Sequence, residues 1–252
     1  MWKTLYQSVQ GTSHVQSGQP CQDSCAARQL DVDGESVLVL ACSDGAGSAE
    51  FSEVGSRVAC QTLVDFVSAE VRTAGKLERV DRERALEWLE MVHRSIGEQA
   101  DKRDVAARQL ACTLLFAIVG GGGTAFGQVG DGAIVVGQQD EYQHVFWPQS
   151  GEYANTTNFV TDPRYPSYFE FEWRDAPPEE VALFSDGLQM LGLDFAARRP
   201  HGPFFAPMFQ SLRAAPDASQ LVEPMRAFLE SPRLAERTDD DKTLILATRL
   251  TG

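Results

Sequence analysis

Hydrophobic and polar positions along the chain fall into blocks with two different periods. Val37–Cys42 is a short unbroken run of Val, Leu, Ala and Cys, which predicts a buried strand. It ends on Ser43-Asp44-Gly45-Ala46-Gly47, a sharp loop. Past that loop the period changes. Phe51, Val54, Val58, Leu63, Phe66, Val67 and Val71 recur at three- and four-residue spacing and predict a helix with one apolar face. A second helix is predicted from about Asp81 to Asp101, with Ala85, Leu89, Val92 and Ile96 as its stripe. His93 on this helix reads as a surface or boundary residue.

From Cys112 the pattern turns to strands. Cys112–Val119, Thr124–Val129 and Ala133–Val136 read as a meander of hairpins, with turns at Gly120–Gly123 and at Gly130-Asp131-Gly132. The four-glycine run lacks a following Lys-Ser/Thr and a helix, so it is a turn and not a phosphate loop. Further strands are expected around Tyr142–Trp147, Thr157–Val160, Tyr168–Trp173 and Val181–Phe184, and a last one at Lys242–Thr248. Helical or irregular segments, broken by prolines, fill Leu188–Leu229. Blocks of helices alternating with meandering strands argue for α+β layers over a parallel sheet, with two sheets face to face and helices outside. No repeat or low-complexity linker marks a boundary, so residues 1–252 are expected to form one domain.

Composition narrows the function. The 252 residues are 43% hydrophobic and 23% charged, an ordinary globular balance. The formal charge of −14, with no basic run, disfavours nucleic acid as a partner. It also repels phosphoproteins, so a phosphate-handling site would need local cations. Five cysteines, an odd number with no C-x-x-C pair, suggest a reducing compartment. No stretch reaches the roughly 20 apolar residues of a membrane span. A cytoplasmic protein with no membrane partner is therefore expected.

Several aspartates sit at strand ends. Asp44 follows Val37–Cys42, Asp131 follows Thr124–Val129, and Asp186 follows Val181–Phe184. Asp239, Asp240 and Asp241 precede the last strand, and Gln22-Asp23 lies before the first clear one. Mg²⁺ and Mn²⁺ want oxygen ligands of this kind. Two such ions roughly 4 Å apart can lower the pKa of water and clamp a phosphoryl oxygen for in-line displacement. Asp-Gly is also a plain hairpin-turn signal, and for Asp131 the two readings weigh about equally.

In order, Gln22-Asp23-Ser24, Ser43-Asp44-Gly45-Ala-Gly47, Cys112-Thr113-Leu114, Val129-Gly130-Asp131-Gly132, Phe184-Ser185-Asp186-Gly187-Leu188 and Asp240-Asp241-Lys242-Thr243 resemble the PPM family. These are the type-2C metal-dependent serine/threonine protein phosphatases, and the match spans nearly the whole chain. Gly11-Thr-Ser-His14 before Pro20-Cys-Gln-Asp23 is similar to a bacterial subgroup of stand-alone domains. The resemblance implies a four-layer α-β-β-α fold, a central antiparallel β-sandwich flanked by helices, with metals at one end. It implies that Asp44 bridges two Mg²⁺ or Mn²⁺ ions, that the Gly45 carbonyl binds one, and that Asp186 and Asp240 bind the other. A hydroxide bridging the ions would attack phosphoserine or phosphothreonine of a protein substrate, and a Ser/Thr kinase is an expected partner. Asp23, Asp131 and Asp241 fall to supporting or third-metal positions.

The departures from the family pattern shape these expectations. Gln22 replaces the usual Glu, so it can offer only a neutral amide oxygen and the second ion should bind more weakly. The usual phosphate-contacting Arg aligns with Gly18, and His14 is the candidate substitute. A histidine that eukaryotic members place two residues after the bridging Asp is Ala46 here. The family's third-metal Asp, four residues after Asp186, is Met190, which argues against a third ion. These losses keep open a second reading, a silent module that binds phosphoproteins or regulates a kinase. A hydrolase of small phosphate esters is a third.

Overall fold

The computed structural model describes residues 1–150 and 157–250. Twelve strands occur among them: β1 Trp2–Val9, β2 Ser24–Val32, β3 Glu35–Ser43, β4 Leu114–Gly120, β5 Gly123–Val129, β6 Ala133–Gln138, β7 Glu141–His144, β8 Glu170–Arg174, β9 Glu180–Phe184, β10 Leu193–Asp194, β11 Arg199–Pro200 and β12 Lys242–Arg249. The helices are α1 Thr12–Ser17, α2 Ser52–Ala74, α3 Arg82–Asp101, α4 Tyr165–Tyr168, α5 Gln189–Gly192, α6 Gly202–Ala214, α7 Val222–Leu229 and α8 Pro232–Ala235.

Two five-stranded sheets form the centre, in the orders β1-β12-β9-β6-β7 and β2-β3-β4-β5-β8. Every pairing in them is antiparallel. The period-2 alternation of each strand sends one set of side chains between the sheets and the other set outward. Leu38, Leu40, Leu115, Phe126, Leu183 and Ile245 fill the space between the sheets. The opposite faces of β3 and β4, through Val37, Val39, Phe116 and Ile118, pack on α2 and α3. The opposite faces of β1, β9 and β12, through Leu5, Phe184 and Leu244, pack on Phe205, Phe209 and Leu229 of α6 and α7. This is the four-layer arrangement expected from the motif order. Each fully buried large side chain, such as Trp88 or Phe116, contributes about 1.5–3 kcal/mol.

Both long helices follow their apolar stripes. The N-cap of α3 is Asp81, whose side chain accepts the N–H of Arg84 at 2.8 Å. His93 on this helix meets Val160 O at 2.9 Å and packs on Tyr165.

Three expectations need correction. First, β1 and β2 were not visible in the hydrophobic pattern. In Trp2–Val9 only Trp2, Leu5 and Val9 are buried, at a spacing that does not alternate, and the segment is held as a strand by its ladder with β12. Second, Gly130-Asp131-Gly132 is not a hairpin turn. β5 and β6 belong to different sheets, so this loop carries the chain across the end of the sandwich. Third, Thr157–Val160 is not a strand. It is an irregular segment tied down by Val160 N–H to Cys112 O at 2.9 Å.

Candidate metal centre

The sheet-crossing loop and the ends of β3 and β9 converge. Asp44, Asp131 and Asp186 each present a carboxylate oxygen, and these oxygens lie within 4.8 Å of one another. Three segments far apart in sequence thus meet at one end of the sandwich.

Each aspartate is positioned by its neighbours. Asp44 N–H donates to Thr113 Oγ1 at 2.9 Å, and Thr113 N–H donates to Asp44 O at 2.8 Å. Ser43 Oγ donates to Thr113 O at 2.5 Å. The Cys112-Thr113-Leu114 motif therefore clamps the loop that carries Asp44. Asp131 Oδ2 accepts Thr157 Oγ1 at 2.7 Å, and its backbone oxygen accepts the Gln189 side chain. Asp186 opens a short 3₁₀ turn after β9. Gly187 in that turn lies so close to β12 that a Cβ would stand 2.0 Å from Asp241 O.

Gly45 bridges to Cys112 as a non-hydrogen-bonded antiparallel pair, because the flanking bonds are Ala46 N–H to Ala111 O and Thr113 N–H to Asp44 O. Its own carbonyl therefore faces away from Cys112. Gln22 is buried, and its Oε1 has no hydrogen-bond partner. The same holds for Asp23 Oδ1 and Asp131 Oδ1. The other oxygen of Asp23 accepts Ser185 Oγ at 2.6 Å, and Ser185 Oγ accepts Thr243 N–H at 3.0 Å.

Crowding of carboxylates raises their proton affinity. Burial, then the Asp23 and Asp186 charges, hold Asp44 well above the usual carboxylate range. Burial, then Asp131 and Asp240, push Asp186 up to about 8. Burial lifts Asp23 to about 6, against the hydrogen bond from Ser185. Burial also raises Asp131, with Asp240 adding to it. The charges pressing on these groups are other carboxylates. Orphaned buried oxygens among mutually repelling acids, all of them hard oxygen donors, fit divalent Mg²⁺ or Mn²⁺.

Asp240 and Asp241 play different parts. Asp240 is exposed at the rim, near enough to raise Asp131 and Asp186, and its Oδ1 accepts Asp241 N–H at 2.8 Å. Asp241 is buried and turned away, accepting Gly11 N–H at 2.6 Å and Gln22 N–H at 2.5 Å. His14, the candidate phosphate contact, lies beside Asp241. The residue is buried at 8% exposure, and its Nδ1 stands 2.9 Å from Asp241 Oδ1, off the line of a hydrogen bond. A ring enclosed there braces α1 against β12.

A family model described as Protein phosphatase 2C matches residues 10–230. The chain belongs to the protein phosphatase 2C family. As a member it is a metal-dependent serine/threonine protein phosphatase. Serine/threonine-protein phosphatase 3 of Escherichia coli (strain K12) is 36% identical over 252 residues, covering 98% of each chain. The fold is also similar to that of the Mycobacterium tuberculosis serine/threonine phosphatase PstP/Ppp, with TM-score 0.65, 15% identity and 99% of both chains covered. The catalytic domain of PstP in complex with two manganese ions superposes with TM-score 0.61 at 15% identity, over 98% of this chain and 97% of that one.

Sequence reasoning missed Ser185, Thr113 and Thr157 as supports of this phosphatase site. A signal existed for the first. Ser-Asp-Gly occurs at both Ser43-Asp44-Gly45 and Ser185-Asp186-Gly187, and in both the serine hydroxyl braces a neighbouring segment.

Proposed function

We propose that Asp44, Asp186 and Asp240 hold the first divalent cation and that Asp44, the Gly45 carbonyl and Gln22 Oε1 hold the second. The observation that supports this reading is the convergence of Asp44 and Asp186 oxygens, together with one from Asp131, within 4.8 Å, with Asp240 close enough for its charge to press on Asp186. When bound, the cations lower the pKa of water for attack on phosphorus and offset the phosphoryl charge. The chain's own residues supply placement. Thr113 fixes the Asp44 backbone, Ser185 orients Asp23 behind it, and Thr157 holds Asp131 at the edge. Asp131 is an outer support; Met190 supplies no ligand where the family has one for a third cation. Rigid strand ends keep the acids in place while a phosphoserine or phosphothreonine side chain enters.

The substrate in this reading is a phosphorylated protein, and a Ser/Thr kinase is the partner whose work it reverses. Five free cysteines support a reducing, cytoplasmic setting. Among the described residues no helix is long and apolar enough to cross a membrane. We read the chain as one catalytic domain of bacterial type.

The test is turnover of a phosphothreonine peptide with Mn²⁺. Activity should vanish in chelator and fall more than about 100-fold in Asp44→Asn, beyond the usual loss for an outer-shell partner. Turnover that persists in chelator would overturn the metal mechanism. Stoichiometric kinase binding with no turnover would favour the silent module.

A further inference from the structure

The loop that holds Asp131 is tied on two sides to an aromatic patch. On one side, Gln128 Nε2 donates to Gly130 O at 3.2 Å and to Trp147 O at 3.4 Å, and Gly130 N–H donates to Gln149 Oε1 at 2.9 Å. On the other side, the Gln189 side chain of α5 donates to Asp131 O, and α5 runs straight into the β10–β11 hairpin. The tip of that hairpin, residues 195–198, is exposed and folds back on Trp147. Phe195 packs edge-on against the Trp147 ring at 5.3 Å, and the Arg198 guanidinium lies over the same ring at 5.0 Å.

The patch has the composition of a protein-binding surface, where Trp, Phe, Met and Arg are enriched. Phe195 is 43% exposed, and Met190, beside Gln189, is 73% exposed. Arg198 holds φ at +48°, a backbone conformation that glycine adopts more easily, so its side chain is what the arginine adds. Among the described residues its guanidinium has no hydrogen bond or ion pair. The acids nearby are already engaged: Asp194 pairs with Arg199 at 3.7 Å, and Glu172 pairs with Arg174. Burial first, then Arg198 and Arg174, hold the His144 ring, which packs edge-on against Trp147, below its usual range. The patch is therefore locally cationic on a chain of net charge −14.

The location argues for the occupant. A protein phosphatase has to seat polypeptide on both sides of the phosphoresidue, and this patch adjoins the acidic centre. An exposed hairpin tip encloses no small ligand but can take a chain lying across it. We propose that Trp147, Phe195 and Arg198 dock the polypeptide flanking the phosphoresidue and favour substrates with acidic residues there. A flanking carboxylate meets the Arg198 fork, which the Trp147 ring holds flat, and a neighbouring apolar side chain meets Phe195. The inference rests on the phosphorylated-protein reading of the substrate.

The experiment is steady-state kinetics of the full chain with Mn²⁺ on three phosphothreonine peptides of equal length and on p-nitrophenyl phosphate. The peptides carry paired aspartates before the phosphoresidue, after it, or nowhere. One aspartate-bearing peptide should exceed the bare one in kcat/KM by about fivefold, the upper range for an exposed ion pair, with the gain in KM. Arg198→Gly, at ease on the left-handed backbone, should abolish that preference, leave turnover of the small ester unchanged and keep thermal unfolding cooperative. Phe195→Ser should raise KM for all three peptides and spare the ester. Equal kcat/KM for the three peptides, a preference that survives Arg198→Gly, or ester turnover that falls in step with the peptides would each overturn the proposal and leave the protein-substrate reading in place. Turnover of the ester with none of the peptides would remove both.

Discussion

Asp241 Oδ2 accepts the backbone N–H of Gln22 at 2.5 Å, across 219 residues of chain. Its other oxygen accepts Gly11 N–H at 2.6 Å. One buried carboxylate thus ties the start of β12 to the two N-terminal segments that flank Gln22 and Asp23. Asp241 therefore organises the site from behind, and Asp240 beside it faces the rim. Charge-assisted bonds of this kind are worth about 1.5–3 kcal/mol each, and their loss leaves buried N–H groups unpaired. Asp241→Ala should lower unfolding free energy in denaturant by at least about 2 kcal/mol. Asp241→Asn, which keeps one good acceptor, should lose less. Equal stability of wild type and Asp241→Ala would remove this role.

The acidic cluster makes stability depend on pH and metal in opposite senses. Folding raises Asp23 to about 6 and Asp186 to about 8 from an ordinary 3.8. Between the ordinary and raised values the folded state holds more protons than the unfolded one. These groups' contribution to stability is therefore full below about pH 4 and is lost as pH rises towards 8. In chelator, the melting temperature should fall from pH 5 to pH 8. Saturating Mn²⁺ binds the folded, deprotonated site, so it should raise the melting temperature most at the alkaline end. A metal-free protein that grew more stable from pH 5 to pH 8 would contradict this account of the cluster.

Much of this was legible in the chain because strand-end carboxylates announce themselves. Asp44 and Asp186 each close an apolar run, and those runs are central strands buried on both faces. β1 and β2 carry a weaker signal. In β2 only Leu30 is buried, so the strand is defined by its nine-residue ladder with β3 and not by its own pattern. Asp131 could not be assigned locally, because a hairpin turn and a sheet-crossing loop share the same Gly-Asp-Gly residues. Only the placement of β5 and β6 in different sheets decides it. The setting of His14 was hidden for a related reason. Its partner Asp241 lies at the far end of the chain, and no local spacing connects them.

In the proposed reading, the second cation depends on Gln22. Its Oε1 is buried and unpartnered, so it is available as a ligand, but it brings no charge. Mn²⁺ titration followed by calorimetry should show two affinities, the weaker one belonging to the Gln22 side. Gln22→Glu should tighten that weaker step by about tenfold, equivalent to ~1.4 kcal/mol, and leave the tighter step nearly unchanged. It should also destabilise the metal-free protein, because a further carboxylate joins the buried cluster. Two equally tight sites in the wild type would rule out this assignment.

Gly45 offers the sharpest separation of packing from chemistry. A Cβ there would stand 2.6 Å from Gln22 O and 2.9 Å from Ser52 Cβ and O. Neither neighbour yields easily. Gln22 O accepts Ser56 Oγ at 2.5 Å, and Ser52 begins α2. Gly45→Ala should therefore cost about 1–3 kcal/mol of stability by overpacking. It should also weaken Mn²⁺ binding, since the strain falls on the loop that carries both the Gly45 carbonyl and Asp44. Gly97 supplies the contrast. It lies within α3, and an added Cβ would meet nothing within 4 Å. Gly97→Ala should raise stability by about 0.5–1 kcal/mol through helix propensity and leave Mn²⁺ affinity alone. If both substitutions left Mn²⁺ affinity at the wild-type value, Gly45 would be a packing glycine and its carbonyl would have no place among the ligands.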